Sequence, residues 1–210
     1  LEKIMLHEDS QETLKAREEE LRGRYEAASK AGLSLDMTRG KPAPEQLDLS
    51  DPLLALPGAG QFSDQDNTDC RNYGGIDGLP AMKQLFADIL GCQRDAVIVG
   101  GNSSLTMMHD AVARAILFGV PGSDKPWGQQ GTIRFLCPAP GYDRHFEITS
   151  HLGFELVNVE MTDDGPDMDH VEALAADPAV KGIWCVPRYS NPTGITYSEE
   201  VARRLANMEA

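Results

Sequence analysis

Three polar clusters each follow a short apolar run, and the first of them has residue types suited to binding a phosphate group. Asn102, Ser103 and Ser104 come directly after "AVIVGG" and lead into a helix-like stretch. Glycines allow a close backbone approach, and the N–H groups of a first helical turn attract anions. The stretch could therefore bind a phosphate, although Gly-Asn-Ser is equally typical of an ordinary helix N-cap.

The other two clusters carry a flat ring and an amide. Tyr142 follows "TIRFLC" within "PAPGYDRHF", where its ring could stack on a planar ligand or simply pack against its neighbours. Asn191 opens the "NPTG" sequence that follows "GIWCVP". Proline restricts the preceding residue to extended conformations and can take a cis bond. We therefore expect the Asn191 amide to be fixed as a hydrogen-bond donor at the end of a strand.

Apolar strands alternate with helical patterns from residue 96 onward. The predicted strands are "AVIVGG", "TIRFLCP", "FELVNVEM" and "VKGIWCVP". This alternation predicts βαβ units around a mostly parallel sheet, that is, an α/β fold with three α/β/α layers. Ligands of such sheets bind outside the carboxyl ends of the strands. We therefore expect the three polar clusters to converge on one pocket.

The first part of the chain has a different pattern. Residues 9–31 predict a helix with a capping box from Asp9 and Glu12, and Gly32 as its end. A proline-rich connecting segment follows, and a further helix is predicted from about Pro80 to Gly91. We predict an N-terminal helix and connecting segment over 1–45 and part of a larger domain over 46–210. Because the last residues continue a helical pattern without a cap, we expect this sequence to be a truncated reading frame or a fragment of a longer chain.

Charge and cysteine content limit the possible functions. The 210 residues carry a formal net charge of −14, which disfavours binding to nucleic acid or to anionic membranes. Four cysteines without ligand spacing predict a reducing compartment and no structural metal. No apolar leader or membrane-length stretch is evident, so we predict a cytoplasmic protein.

Three longer motifs carry a family resemblance: "TRGKP", "RNYGGIDGLPAMKQLFADILG" and "NPTG". From about Asp36 to its end, the chain resembles the N-terminal portion of a fold-type I, pyridoxal 5′-phosphate (PLP)-dependent aminotransferase of class I/II. Within that class it is most similar to a bacterial aspartate aminotransferase subgroup. The resemblance implies PLP as cofactor and the large domain of the aspartate aminotransferase-like fold. It also implies that the later strands of this domain and a small C-terminal domain lie outside these 210 residues.

The resemblance also implies roles for individual residues. Asn102, Ser103 and Ser104 would bind the phosphate group of PLP. Tyr142 would stack on the ring face, and Asn191 would contact the phenolic oxygen. Tyr73 would contact the phosphate of the PLP bound by a neighbouring subunit. Gly40 and Asn191 would bind the substrate, with the Gly40 backbone contacting the substrate α-carboxylate. The Tyr73 role implies a homodimer with shared active sites. Arg39 and Lys41 beside Gly40 depart from the common family pattern, as does Asn102-Ser103 where many relatives have Gly-Ser or Ser-Gly.

The resemblance predicts a transfer of an amino group from an aspartate-like amino acid to a 2-oxo acid. The family's Schiff-base lysine lies beyond the "NPTG" helix, so we expect no catalytic residue within these 210 residues and no activity from them alone. Three alternatives stay open: a PLP-dependent lyase or decarboxylase of the same fold, a structural remnant, or a non-catalytic PLP-binding effector domain of a transcription regulator. The regulator would require a basic helix-turn-helix ahead of "TRGKP".

Overall fold

A computed structural model describes residues 9–36, 38, 40–58 and 60–208. The chain divides into two compact units. The first falls within Leu1–Ser63 and Asn67–Asn72, and the second comprises Asp64–Asp66 and Tyr73–Ala210.

The first unit begins with helix α1, Gln11–Lys30, followed by α2, Pro44–Leu47, and a 3₁₀ helix, Asp48–Ala55. The end of α1 is as predicted, since Gly32 adopts a left-handed φ of 62° just beyond it. The predicted capping box is wrong. The N-cap is Ser10, whose hydroxyl accepts from the backbone N–H of Thr13 at 3.1 Å, while the Asp9 carboxylate lies 3.8 Å from Arg17.

The second unit alternates helices and strands. Its helices are α3 (Pro80–Leu90), α4 (Ser104–Phe118), α5 (Asp143–His151), α6 (Met168–Ala175) and α7 (Glu199–Ala206). Its strands are β1 (Arg134–Ala139), β2 (Glu155–Thr162), β3 (Gly165–Pro166) and β4 (Val180–Ile183). Helix α3 confirms its predicted limits, because Pro80 occupies its first turn and Gly91 ends it with a left-handed φ of 67°.

The four strands form one mostly parallel sheet in the order β3-β2-β1-β4. Strand β1 lies at its centre and pairs in parallel with β2, where Arg134 faces Glu155, and with β4, where Leu136 faces Ile183. The short β3 pairs antiparallel with β2. The parallel pairs confirm the predicted βαβ organisation.

Helices cover both faces of this sheet. Leu136 packs with Val159 of β2 and with Met168, Val171 and Val201 from α6 and α7. The adjacent Phe135 packs in a separate cluster with Val112 of α4 and Phe154. Successive side chains of a strand point to opposite faces, so β1 supplies two cores, one on each side. This arrangement confirms the predicted three-layer α/β/α architecture.

The prediction of a strand at "AVIVGG" is wrong, because the structure describes these residues and they do not form a strand. Arg94–Ala96 forms a 3₁₀ turn, and residues 97–101 pair with none of the four strands. Ile98 is 74% exposed. An apolar run becomes a strand only where a neighbouring strand completes the hydrogen-bond ladder. Here the backbone N–H of Val99 donates instead to the Asp77 carbonyl, at 2.8 Å.

Candidate functional site

The loops that carry Tyr142 and Asn191 leave the sheet at the same edge. Tyr142 follows the end of β1 at Ala139, and Asn191 follows the end of β4 at Ile183. These strands are parallel neighbours, so their carboxyl ends lie side by side. In sheets of this type, that edge is where ligands bind.

The turn that presents Tyr142 is tightly constrained. The Ala139–Pro140 peptide bond is cis, and a Cβ on Gly141 would lie 2.3 Å from the carbonyl oxygen of Pro138. Only glycine fits at this position. Tyr142 then becomes the N-cap residue of α5, and its carbonyl accepts from the backbone N–H of His145 at 3.0 Å. The half-buried ring is thus fixed at the start of a helix.

Two aromatic residues that the sequence reasoning missed support the Tyr142 ring. The rings of Tyr142 and His145 meet edge to face at 5.0 Å between centroids, and His145 stacks on Trp184 at 5.2 Å. The Trp184 indole N–H donates to the Thr149 hydroxyl at 3.2 Å. Burial lowers the pKa of His145, which favours its neutral form. One signal was available: His145 is three residues beyond Tyr142 in a helical pattern, a spacing that brings side chains together.

The "NPTG" sequence forms the tip of a closed loop. The backbone N–H of Tyr197 donates to the Pro187 carbonyl, and that of Ser190 donates to Ile195, both at 2.8 Å. Gly194 has a left-handed φ of 74°, and the Asn191–Pro192 peptide bond is cis, a form that the sequence allowed but did not require. Asn191 lies exposed at this tip, so its amide can reach a ligand.

Asn102, Ser103 and Ser104 are exposed at the start of α4. Ser103 is the N-cap, and its hydroxyl accepts from the backbone N–H of Thr106 at 3.3 Å. The first turn of α4 carries no acidic side chain, which leaves the positive end of the helix dipole available to an anion. Helix α4 packs on α5, the helix that begins beside Tyr142, with Leu105 and Arg144 lining the groove between them.

Tyr73 begins the loop 73–78, and 98% of the residue is exposed. This loop is joined to the segment before Asn102 by the hydrogen bond from Val99 to Asp77. Gly78 has a φ of 107°, and a Cβ there would lie 2.6 Å from Cβ of Val99. The structure therefore brings the Tyr73 loop against the residues that lead into α4.

Gly40 lies in the first unit and is exposed, with open space where a Cβ would stand. Nearby, the backbone N–H and hydroxyl of Thr38 donate to the Asp36 carboxylate at 2.9 and 2.5 Å, and these bonds lower the pKa of Asp36. Arg39 lies outside the described residues, and Lys41 is exposed.

Cys137 and Cys185 are not reactive groups of this site. Burial raises the pKa values of Cys137 and Cys185 to about 11, so neither thiol ionises readily. Within the described ranges, no group of three or more His, Cys, Asp or Glu side chains is arranged to bind a metal ion. None of the helices described is both long and apolar enough to cross a bilayer.

This α/β fold is shared with solved structures of aminotransferases. The sequence family of aspartate amino-transferase matches residues 9–210, and the chain belongs to that family. The aspartate aminotransferase of Corynebacterium glutamicum is 50% identical over 191 residues, which make up 91% of this chain and 44% of that protein.

Solved structures agree with this assignment. The crystal structure of an aspartate transaminase from C. glutamicum has a TM-score of 0.85 at 47% identity, covering 99% of this chain and 49% of that one. The α-aminoadipate aminotransferase of Thermus thermophilus, complexed with N-(5′-phosphopyridoxyl)-L-leucine, has a TM-score of 0.56 at 19% identity, covering 80% of this chain and 39% of that one. This second likeness shows the fold alone. The chain spans about half the length of the relatives it matches, or less.

Proposed function

We propose that the protein is a PLP-dependent aminotransferase that transfers an amino group from an aspartate-like amino acid to a 2-oxo acid. The observation that carries the proposal is the parallel pairing of β1 with β4. Because of that pairing, the Tyr142 ring and the Asn191 amide emerge at one sheet edge. Membership of the aspartate aminotransferase family supports the same reaction class.

The residues present fit PLP. The start of α4 offers the hydroxyls of Ser103 and Ser104, the Asn102 side chain and a helix dipole without acidic neighbours, a combination suited to a phosphate. In this proposal Tyr142 stacks on the planar ring of PLP, and Asn191 donates a hydrogen bond to its phenolic oxygen. When bound, PLP supplies an electron sink for the bond changes at the substrate α-carbon.

The roles of this chain's residues are binding and orientation. Ser103, Ser104 and Asn102 bind the phosphate, Tyr142 fixes the plane of the ring, and Asn191 stabilises negative charge on the phenolic oxygen. In this proposal the backbone at Gly40 meets the substrate α-carboxylate, and Asn191 also borders the substrate.

The remaining parts of the proposal concern assembly and location. We place the large, cofactor-binding domain at residues 46–210 and the N-terminal helix with its connecting segment at 1–45. Two copies form a homodimer in which Tyr73 reaches the phosphate bound by the other subunit. We place the protein in the cytoplasm, where it binds neither nucleic acid nor membrane. Its net charge of −14 disfavours contact with phosphate backbones and anionic lipids.

The test uses the full-length gene product. It is freed of cofactor, titrated with PLP, and assayed with L-aspartate and a panel of 2-oxo acids. We expect saturable binding of PLP and amino transfer that requires both substrates. Absence of PLP binding would overturn the proposal. Continued product formation from the amino acid without any 2-oxo acid, beyond one equivalent per bound PLP, would indicate a lyase or decarboxylase instead.

A further inference from the structure

Helix α3 carries a buried charge that the proposed site does not use. Lys83 is 9% exposed and is the one buried Lys, Arg, Asp or Glu residue among those described. A buried ammonium group is costly unless a partner of opposite charge accompanies it. The partner is Asp77, whose carboxylate accepts a hydrogen bond from the Lys83 ammonium group. That hydrogen bond lowers the pKa of Asp77.

Asp77 belongs to the loop 73–78, and its backbone fastens this loop to a second segment. The Asp77 carbonyl accepts from the backbone N–H of Val99 at 2.8 Å. The next residue, Gly78, lies so close to Val99 that a Cβ would meet its side chain at 2.6 Å. The carboxylate and the carbonyl of one residue thus connect α3 with the segment that leads to Ser103.

We infer that the Lys83–Asp77 pair positions the phosphate-binding residues, so that Lys83 is a positioning residue for the phosphate group of PLP. The inference rests on the proposed function. Lys83 acts through Asp77 and Val99, because its ammonium group is already engaged by Asp77. The pair holds the loop that begins at Tyr73 and the segment that ends at Ser103 in one arrangement.

The experiment compares ligands with and without a phosphate group. The full-length gene product and its Lys83→Met, Asp77→Asn and double variants are freed of cofactor and titrated with PLP and with pyridoxal. Met keeps most of the Lys83 volume but cannot bind Asp77. We expect each single variant to bind PLP about tenfold more weakly or worse, because displaced binding groups no longer meet the phosphate in the correct geometry. Pyridoxal affinity should change little, and the double variant should be no worse than either single one.

Two further variants separate positioning from general loss of stability. Lys83→Arg retains a cation and should restore most of the PLP affinity. Val112→Ala removes volume from the core beneath α4 and is the stability control, with urea unfolding measured for every variant. If Lys83→Met does not fold, Asp77→Asn still tests the inference, because it alters the half-exposed partner.

The outcomes distinguish this inference from the proposed function. A wild-type protein that binds pyridoxal as tightly as PLP, or binds neither, contradicts the proposed function. If the wild-type protein prefers PLP to pyridoxal, the proposed function stands and the variants test the positioning role. That role is overturned if Lys83→Met and Asp77→Asn keep the preference for PLP, or lose no more of it than Val112→Ala does.

Discussion

The imidazole ring of His145 stacks on the indole ring of Trp184, with 5.2 Å between the centroids and 29° between the planes. His145 also meets the Tyr142 ring edge to face. The candidate cofactor-stacking ring therefore rests on a buried imidazole, which in turn rests on an indole anchored by Thr149. This support makes the position of Tyr142 depend on an ionisable side chain whose neutral form is favoured by burial.

His145 should make the protein less stable in mild acid. Burial lowers its pKa in the folded state, whereas an unfolded imidazole takes up a proton at about 6.5. The stabilising contribution is therefore present above pH ~6.5 and is lost as the pH falls toward the folded-state value. We expect His145→Phe to show a smaller loss of unfolding free energy than wild type between pH 7.5 and 5.5, by urea denaturation. The control is His151→Phe, at an exposed position of the same helix; equal losses in wild type and His145→Phe would contradict the account.

Ser103 should contribute both to helix stability and to phosphate binding. Ser103→Ala and Ser198→Ala each remove a hydroxyl that caps a helix, of α4 and α7 respectively. Each should lower the unfolding free energy by about 0.5–2 kcal/mol, the usual value of an N-cap. Only Ser103→Ala should also weaken the binding of PLP relative to pyridoxal. Equal effects of the two variants on PLP affinity would leave Ser103 with a capping role alone.

Asn191 should adjust the ionisation of the bound cofactor. A hydrogen bond to a charged acceptor is worth roughly 1.5–3 kcal/mol, which corresponds to about one to two pKa units. We therefore expect Asn191→Ala to leave PLP bound. The pKa of the bound cofactor, read from the pH dependence of its absorption spectrum, should rise by about one to two units. Spectral titration of the full-length gene product measures it. Thr193→Ala, in the same loop, should leave the midpoint of the spectral titration unchanged. An unchanged or lowered midpoint in Asn191→Ala would count against the role assigned to Asn191.

Tyr73 should act on the active site of the other subunit. Tyr73→Ala and Asn191→Ala subunits of the full-length gene product are refolded together, and heterodimers are isolated with two different tags. In the proposed two-fold dimer, one site of each heterodimer then carries both substitutions and the other carries neither. The heterodimer should therefore have about half the wild-type activity, more than the homodimer of either variant. No recovery in purified heterodimers would show that Tyr73 acts within its own subunit.

Local chemistry made much of the fold predictable from the sequence. Pro80 and Gly91 mark the ends of α3 because proline suits a first turn and glycine tolerates a left-handed φ. The apolar run of β1 is a strand because it lies between two neighbours in the sheet. The equally apolar run at 97–101 is not, because strand formation depends on partners that a single segment does not encode.

The supporting contacts of the site were harder to predict. The polar turn residues, Tyr142 and Asn191, are recognisable because each directly follows a strand-like run. The Lys83–Asp77 pair joins a helix to a loop whose path depends on the backbone at Gly78. The Trp184 ring follows β4 and contacts His145, which belongs to the helix after β1. Such contacts arise from tertiary placement, so neither residue spacing nor propensity reveals them.

A crystal structure of the full-length gene product with PLP would show directly whether these residues bind the cofactor. We predict that one PLP molecule accepts hydrogen bonds from the Ser103 hydroxyl at its phosphate and from the Asn191 amide at its phenolic oxygen, each within about 3.2 Å, with the Tyr142 ring against the face of its pyridine ring. A structure in which Asn191 and Ser103 lie at opposite edges of the sheet, or in which PLP contacts neither, would contradict the central claim.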